Sequence, residues 1–420
     1  MWIIYLIGVK IYGLIIWVLS PFYDKAKKWT HGRRGLFKRI AHEVDSREGS
    51  VWFHFASLGE FEQGRPVLEG LRALRPNKTF VITFYSPSGY EIRKDMPLAD
   101  HVYYLPEDTP GNAAMFVRLI NPELVVFTKY EYWPFFFRAL ASNNIPLYLI
   151  SAIFRPNQVF FKWYGSFFRQ TLGYVTHFFT QNEESLTLLT HLGHTNASLA
   201  GDTRFDRVVA LPKTCKLIPE VEDFVQENRV LVAGSTWPAD EELLAQLHRK
   251  YPTWKIIIAP HEIHEDHLRS IEKLFPESLR FSVLSLEQEV RKSKIVRLKS
   301  KILIIDNIGM LSLLYTYGHV AYIGGGFGTG IHNTLEAATY GIPVIFGPNY
   351  HKFQEANDLI ANGGGFSVRD EGELLVVFES LQTSTTREAT GKVAERYVQE
   401  NAGATRLILN HLVASDTMNN

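Results

Sequence analysis

The run YIGGGFGTGIHNTLEAATYGIPVIFGPNYHKFQE, Tyr322 to Glu355, decides the fold of this chain. A short apolar stretch, His319 to Ile323, breaks into five glycines among seven residues, Gly324 to Gly330. His332-Asn-Thr-Leu-Glu-Ala-Ala then has the composition of a helix start, and Gly341-Ile-Pro leads into a second apolar strand. Glycine lets backbone come close to a ligand, and the free N–H groups of a helix start carry partial positive charge. Together they predict a site for an anionic group, most simply a phosphate, with Glu336 one turn into the helix and placed to bond a sugar hydroxyl. The spacing is not the dinucleotide fingerprint: no GxGxxG opens this helix with an acid about 20 residues on. The competing reading is a glycine-rich turn required only for tight strand–helix packing.

Outward from that turn, short apolar runs alternate with amphipathic stretches along most of the chain. In the first half they are 51–56, 79–85, 101–106, 124–130, 146–151 and 177–182; in the second, 230–235, 254–260, 302–306, 319–325 and 343–347. Continuous apolar strands alternating with helices such as 61–74 and 111–120 predict parallel sheets covered on both faces. The fold class is therefore α/β, with two Rossmann-like, doubly wound domains of the GT-B glycosyltransferase type behind an N-terminal membrane-associated helix. The expected division is an anchor over 1–22, a first domain over 35–211, a linker over 212–228 and a second domain over 229–415.

A length of 420 residues exceeds one ordinary core. The 44 basic and 44 acidic residues balance, which speaks against nucleic acid as the main partner. Cys215 is the single cysteine, so no intrachain disulfide or thiolate metal cluster is expected, in keeping with a reducing compartment. Trp2 to Leu19 is apolar apart from Lys10, glycines and tyrosines, and Lys25, Lys27, Lys28, Arg33, Arg34, Lys38 and Arg39 follow. As a helix this stretch is roughly 27 Å long, close to a ~30 Å hydrocarbon core. The basic flank would hold the domains on the cytoplasmic side if it inserts, and the alternative is a helix lying in the interface with Lys10 at its polar edge.

Ligands of open α/β sheets sit beyond the carboxyl ends of the strands, which directs attention to a few residues. Ser57-Leu58-Gly59-Glu60 follows a strand and begins a helix; the helix end would keep Glu60 ionised and able to accept a proton, or Glu60 simply caps the helix. Lys129 and Glu131 follow another strand, and Arg204 stands in a turn where a cation can neutralise a carboxylate or phosphate. His261, His264 and His267, with Glu262, Glu265 and Asp266, have metal-like spacing but no complete ligand set, so a solvated helix face is expected and no metal.

The chain resembles the 3-deoxy-D-manno-oct-2-ulosonic acid (Kdo) transferases. The residues that carry the likeness are Ser57-Leu-Gly-Glu60, Glu131-Tyr-Trp133-Pro134, Ser151-Ala152, Gly201-Asp-Thr-Arg-Phe-Asp206, Asp306-Asn-Ile-Gly309 and His332-Asn-Thr-Leu-Glu336, in order across both halves. The resemblance implies an inverting transfer of Kdo from CMP-Kdo to the lipid A precursor (lipid IVA), with the acceptor on the first domain and the donor on the second. It implies Glu60 as general base and Glu131 and Arg204 as catalytic groups stabilising the transition state. It assigns CMP to Pro260-His261, Ile308-Gly309-Met310 and Asn333-Thr334-Leu335-Glu336. No cofactor or metal is expected, the partners being CMP-Kdo, lipid IVA and inner-membrane lipids, with the domains facing the cytoplasm. There are departures from the family pattern: Arg204 replaces a frequent lysine, an arginine common near His261 is missing, Met310 replaces an acid, and Lys129 stands where an acid is frequent. Three other readings of the same architecture are a UDP-sugar transferase acting on a lipid, a sugar-nucleotide epimerase and a catalytically inactive membrane-bound scaffold.

Overall fold

The computed structural model describes residues 1–45, 47–214, 216–286 and 300–417; Cys215, and with it the disulfide expectation, lies outside the described residues. Every one of the eleven apolar runs forms a parallel strand. The first sheet contains β1 (Ser50–Phe55), β2 (Thr79–Phe84), β3 (His101–Tyr104), β4 (Pro122–Thr128), β5 (Leu147–Ala152), β6 (His177–Thr180) and β7 (Ala197–Leu199). The second contains β8 (Val230–Thr236), β9 (Lys255–Pro260), β10 (Leu279–Arg280), β11 (Ile302–Ile304), β12 (Val320–Ile323), β13 (Val344–Phe346) and β14 (Gly365–Ser367). Their orders are β3-β2-β1-β4-β5-β6-β7 and β10-β11-β9-β8-β12-β13-β14. Strand order reverses between β1 and β4 in one sheet and between β8 and β12 in the other, and a crevice opens beyond the carboxyl ends at such a switch point.

Both faces of each sheet are buried, as the unbroken apolar runs require. On β1, Val51, Phe53 and Phe55 enter one core with Phe80 and Leu68, while Trp52 enters the opposite core with Phe116 and Phe136. Full burial of each such ring is worth about 2–3 kcal/mol, so the sheet's register is strongly specified.

Contacts divide the chain into Met1–Asp206 with Gly403–Asn420, and Arg207–Ala402. This corrects two expected boundaries. The helix Ala404–Thr417, expected with the second domain, belongs to the first: Ile408 and Leu412 fill its core beside the helix Leu58–Leu74, and the Asp206 carboxylate takes the N–H of Thr405 at 2.7 Å. The stretch 212–228, expected as a linker, falls within the second unit and contains the helix Pro219–Val225, which buries Val221 and Phe224.

The segment Trp2–Leu19 is one helix, docked along one side on the first unit. Tyr5 donates to Asp108 at 2.7 Å, Lys10 pairs with Glu107 at 3.0 Å, and Trp2 packs edge-on against Phe167. Its other side leaves Ile3, Ile4, Ile7, Leu14 and Ile15 exposed.

Candidate active site

Glu60 and Glu131 stand after β1 and β4, the two strands that flank the switch point of the first sheet. Glu60 lies in the first turn of the helix Leu58–Leu74 and accepts the N–H of Ala56 at 2.6 Å, one residue before the N-cap Ser57, so it braces the strand-to-helix turn and does not cap the helix. The expectation that the helix end keeps Glu60 ionised is corrected. Burial, then the negative charge of Glu131, push its pKa up to about 8 against the smaller opposing effects of the Ala56 N–H and Lys129. A base poised there is half-ionised just above neutral pH, where general-base catalysis works best.

Glu131 is held from below. Its Oε2 lies 3.1 Å from His54 Nε2 and accepts the Trp133 indole N–H at 2.8 Å. His54, wholly buried on β1, faces its register partner Thr83 on β2 at 2.8 Å, and Thr83 also accepts the Trp52 indole N–H at 2.8 Å. Sequence reasoning missed this chain. The available signal was a histidine and a threonine interrupting two otherwise apolar strands, VWFHF and TFVITF.

Arg204 is tied to its neighbour: its Nε donates to Asp202 Oδ2 at 2.8 Å and its Nη2 lies 2.7 Å from the same oxygen. Asp202 also receives a long bond, 3.4 Å, from Gln63, on the same helix as Glu60. The cation therefore partly neutralises a carboxylate of its own turn while remaining about a quarter exposed.

In the second unit Pro260 ends β9, and His261 stacks against both Trp237 and His332 at centroid distances of 4.8 and 4.4 Å. Burial, with the nearby His261, lowers the His332 pKa to about 4, so its Nε2 accepts the Trp237 N–H at 3.3 Å. Ile308 is 87 % exposed, and Gly309 has φ +95° with open space where a side chain would stand. Asn333 Nδ2 donates to Glu336 at 3.1 Å, whereas the side chains of Thr334 and Leu335 are buried and leave only backbone for a ligand.

Two expectations about the glycine turn change. The helix it opens is a single turn, Leu335–Ala338, too short for a strong end charge. Packing also accounts for part of the turn: a Cβ on Gly324 would lie 2.3 Å from the Ser235 carbonyl, and one on Gly326 2.5 Å from Gly347 Cα. The histidine-rich stretch is not wholly solvated either. His264 caps the helix Glu265–Leu274, but His267 is buried with Nε2 3.0 Å from Glu241. Among the described residues, no three His, Cys, Asp or Glu side chains gather to hold a metal ion.

A family model described as 3-deoxy-D-manno-octulosonic-acid transferase (kdotransferase) matches residues 30–207. The 3-deoxy-D-manno-octulosonic acid transferase of Aquifex aeolicus is 25% identical over 344 residues, covering 80% of this chain and 86% of its own. That of Rickettsia prowazekii is 28% identical over 363 residues, covering 84% and 76%. Over most of its length the chain is similar to the Kdo transferases. It is thus a glycosyltransferase, and the two parallel sheets give it the GT-B fold. Solved structures agree at the level of fold. The UDP-GlcNAc 2-epimerase of Neisseria meningitidis aligns with TM-score 0.61 at 17% identity, covering 87% of this chain and 100% of its own. MurG of Acinetobacter baumannii aligns with TM-score 0.54 at 11% identity, covering 86% and 98%. The epimerase alternative rests on shared architecture alone.

Proposed function

We propose that this protein transfers Kdo from CMP-Kdo to a lipid A precursor, lipid IVA, with inversion at the anomeric carbon. The observation that carries the reading is the Glu60–Glu131 carboxylate pair at the switch point, one member of which is poised to exchange a proton near neutral pH. Glu60 takes the proton of the attacking glucosamine hydroxyl as the new glycosidic bond forms. Glu131 and Arg204 stabilise charge in the transition state. Pro260, His261, Ile308, Gly309, Met310 and the segment Asn333 to Glu336 hold the cytidylate. The leaving group is a phosphomonoester, whose developing charge hydrogen-bond donors and a cation can balance without a metal.

The acceptor reading is supported by the first unit. A cavity of about 450 Å³ lies between the N-terminal helix and the unit, lined by Tyr5, Val9, Tyr12, Tyr85 and Trp133 with Glu107 and Asp108. Trp133 donates to Glu131, so this largely aromatic space adjoins that carboxylate and offers room for part of a lipid-linked acceptor. We place the protein at the cytoplasmic face of the inner membrane, its N-terminal helix lying in the interface. Docking along Trp2 to Lys10 supports that placement over a span, because a spanning helix has no room for a water-soluble unit along its flank.

The deciding experiment incubates purified protein with CMP-Kdo generated in situ and tetra-acylated lipid A precursor, then weighs the lipid by mass spectrometry. A Kdo adduct supports the reading. Transfer from a UDP-sugar but not from CMP-Kdo would replace it.

A further inference from the structure

His54 is wholly buried in the middle of a strand, yet both its ring nitrogens are engaged, and its outward partner is one of the two carboxylates. Proton accounting along the chain of contacts is restrictive. The Trp52 indole can only donate, so Thr83 Oγ1 receives that proton at 2.8 Å. The single hydroxyl proton of Thr83 then has two acceptors: His54 Nδ1 at 2.8 Å or the Phe53 carbonyl at 3.5 Å. The shorter contact fills the Nδ1 lone pair and leaves the ring proton on Nε2, aimed at Glu131 Oε2 at 3.1 Å. The reverse tautomer would set a lone pair against the carboxylate.

We propose that His54, locked in the Nε2–H tautomer by Thr83 and Trp52, is a positioning residue that fixes the Glu131 carboxylate and through it governs the acid–base work of Glu60. The proposal rests on Glu60 being the general base. The Glu131 charge acts on Glu60, and the other titratable groups facing the pair are Lys129, Tyr5, Tyr85 and Tyr132. Burial pushes the three tyrosines upward, so they stay protonated through the working range. His54 is therefore the group whose proton placement tunes the pair. Without that donor the Glu131 charge that raises Glu60 is less well supported, so the Glu60 carboxyl falls back towards its ordinary range.

The test compares the full-length wild type with His54→Leu, His54→Gln and Thr83→Val, using CMP-Kdo and lipid acceptor across the acid limb of the pH–rate profile. His54→Leu is expected to lower kcat about tenfold or more, the scale of one hydrogen bond to a charged group. Its KM for CMP-Kdo should stay unchanged, and its acid limb should move to lower pH. His54→Gln, whose amide N–H reaches the carboxylate, should restore the limb. If burial makes His54→Leu unfold, Thr83→Val loosens the same ring from the far end by removing its Nδ1 hydrogen bond, and its acid limb should move in the same direction. Heteronuclear NMR of nitrogen-labelled histidine should show wild-type His54 in the Nε2–H form. An acid limb unmoved in every folded variant, or a wild-type His54 protonated on Nδ1 alone, overturns the proposal. Failure of the underlying reading is distinguishable, because Glu60→Gln would then keep its turnover whatever His54 does.

Discussion

The Asp240 carboxylate accepts the backbone N–H of Gly325 at 2.9 Å, binding the glycine turn to the start of the helix Pro238–Lys250. The same buried side chain takes the Trp237 N–H at 2.9 Å and the Tyr322 hydroxyl at 2.8 Å. A donor that a phosphate was expected to use is thus already occupied. Asp240→Ala leaves three donors unmatched, each costing about 1–3 kcal/mol when buried. Thermal denaturation should show a large fall in the Tm of the variant, and calorimetry a loss of CMP affinity, since the turn is no longer held. A variant as stable as the wild type would mean that the turn is fixed by other contacts.

Glycine substitutions separate the two readings of the turn. Gly324→Ala and Gly326→Ala drive a Cβ into backbone atoms at 2.3 and 2.5 Å, so both should express poorly or melt early. Gly328 meets nothing closer than the Gly325 carbonyl at 3.6 Å. Gly328→Ala should keep the wild-type Tm. If the turn cradles the donor, its affinity for CMP-Kdo nevertheless falls by about tenfold, as loss of close backbone approach costs on the order of one hydrogen bond. Unchanged affinity would leave the turn a packing device.

Glu60 links activity to stability. Its pKa is raised from 4.5 to about 8, so the folded protein holds this proton more tightly than the unfolded chain. Such a group stabilises fully below its unfolded pKa, and the contribution is lost as pH rises through the folded value. Glu60→Gln cannot ionise and keeps an acceptor for the Ala56 N–H. It should therefore melt above the wild type at alkaline pH and close to it near pH 4. Its turnover should fall at least ~100-fold, the lower end of general-base effects. Wild-type turnover should rise with pH across about 8. Melting curves that shift equally at both pH extremes would show that the carboxylate carries no such strain.

What the sequence disclosed followed from local pattern. Eleven strands were legible because each is a continuous apolar run, buried on both faces. The strands it did not disclose, β7, β10 and β14, are two or three residues long and lie at sheet edges, where one neighbour is missing and no apolar run is needed. Amphipathicity marked the helix Ala404–Thr417 but could not say which core Ile408 and Leu412 would enter; that depends on contacts nearly 200 residues away, such as Asp206 to Thr405. Glu60 and Glu131 stood out because each follows a strand. His54 and Thr83 did not, because only the β1–β2 register brings them opposite one another. The protonation of Glu60 was misjudged for a related reason. The helix end is local and readable, while burial and the charge of Glu131 are properties of the fold.

The N-terminal helix separates docking from membrane attachment by face. Tyr5 and Lys10 bind the first unit, whereas Ile3, Ile7 and Leu14 stand 74, 51 and 59% exposed. Burying each aliphatic side chain in the acyl boundary is worth about 1.5–3 kcal/mol. Replacing the three together with glutamine should reduce partition onto anionic vesicles by roughly 100-fold or more, read by co-sedimentation, since each 1.4 kcal/mol is about tenfold. The Tm and the turnover on detergent-dispersed acceptor should stay at wild-type values, because none of the three docks on the unit. Tyr5→Ala should do the reverse: it removes one of the donors to the buried Asp108 carboxylate, lowers the Tm and leaves the exposed face intact for vesicles. A tag placed before Trp2 should resist protease added outside spheroplasts, as an in-plane helix keeps it on the cytoplasmic side. Cleavage of that tag from the outside would establish a span, and the contacts of Tyr5 and Lys10 would then have to break on insertion.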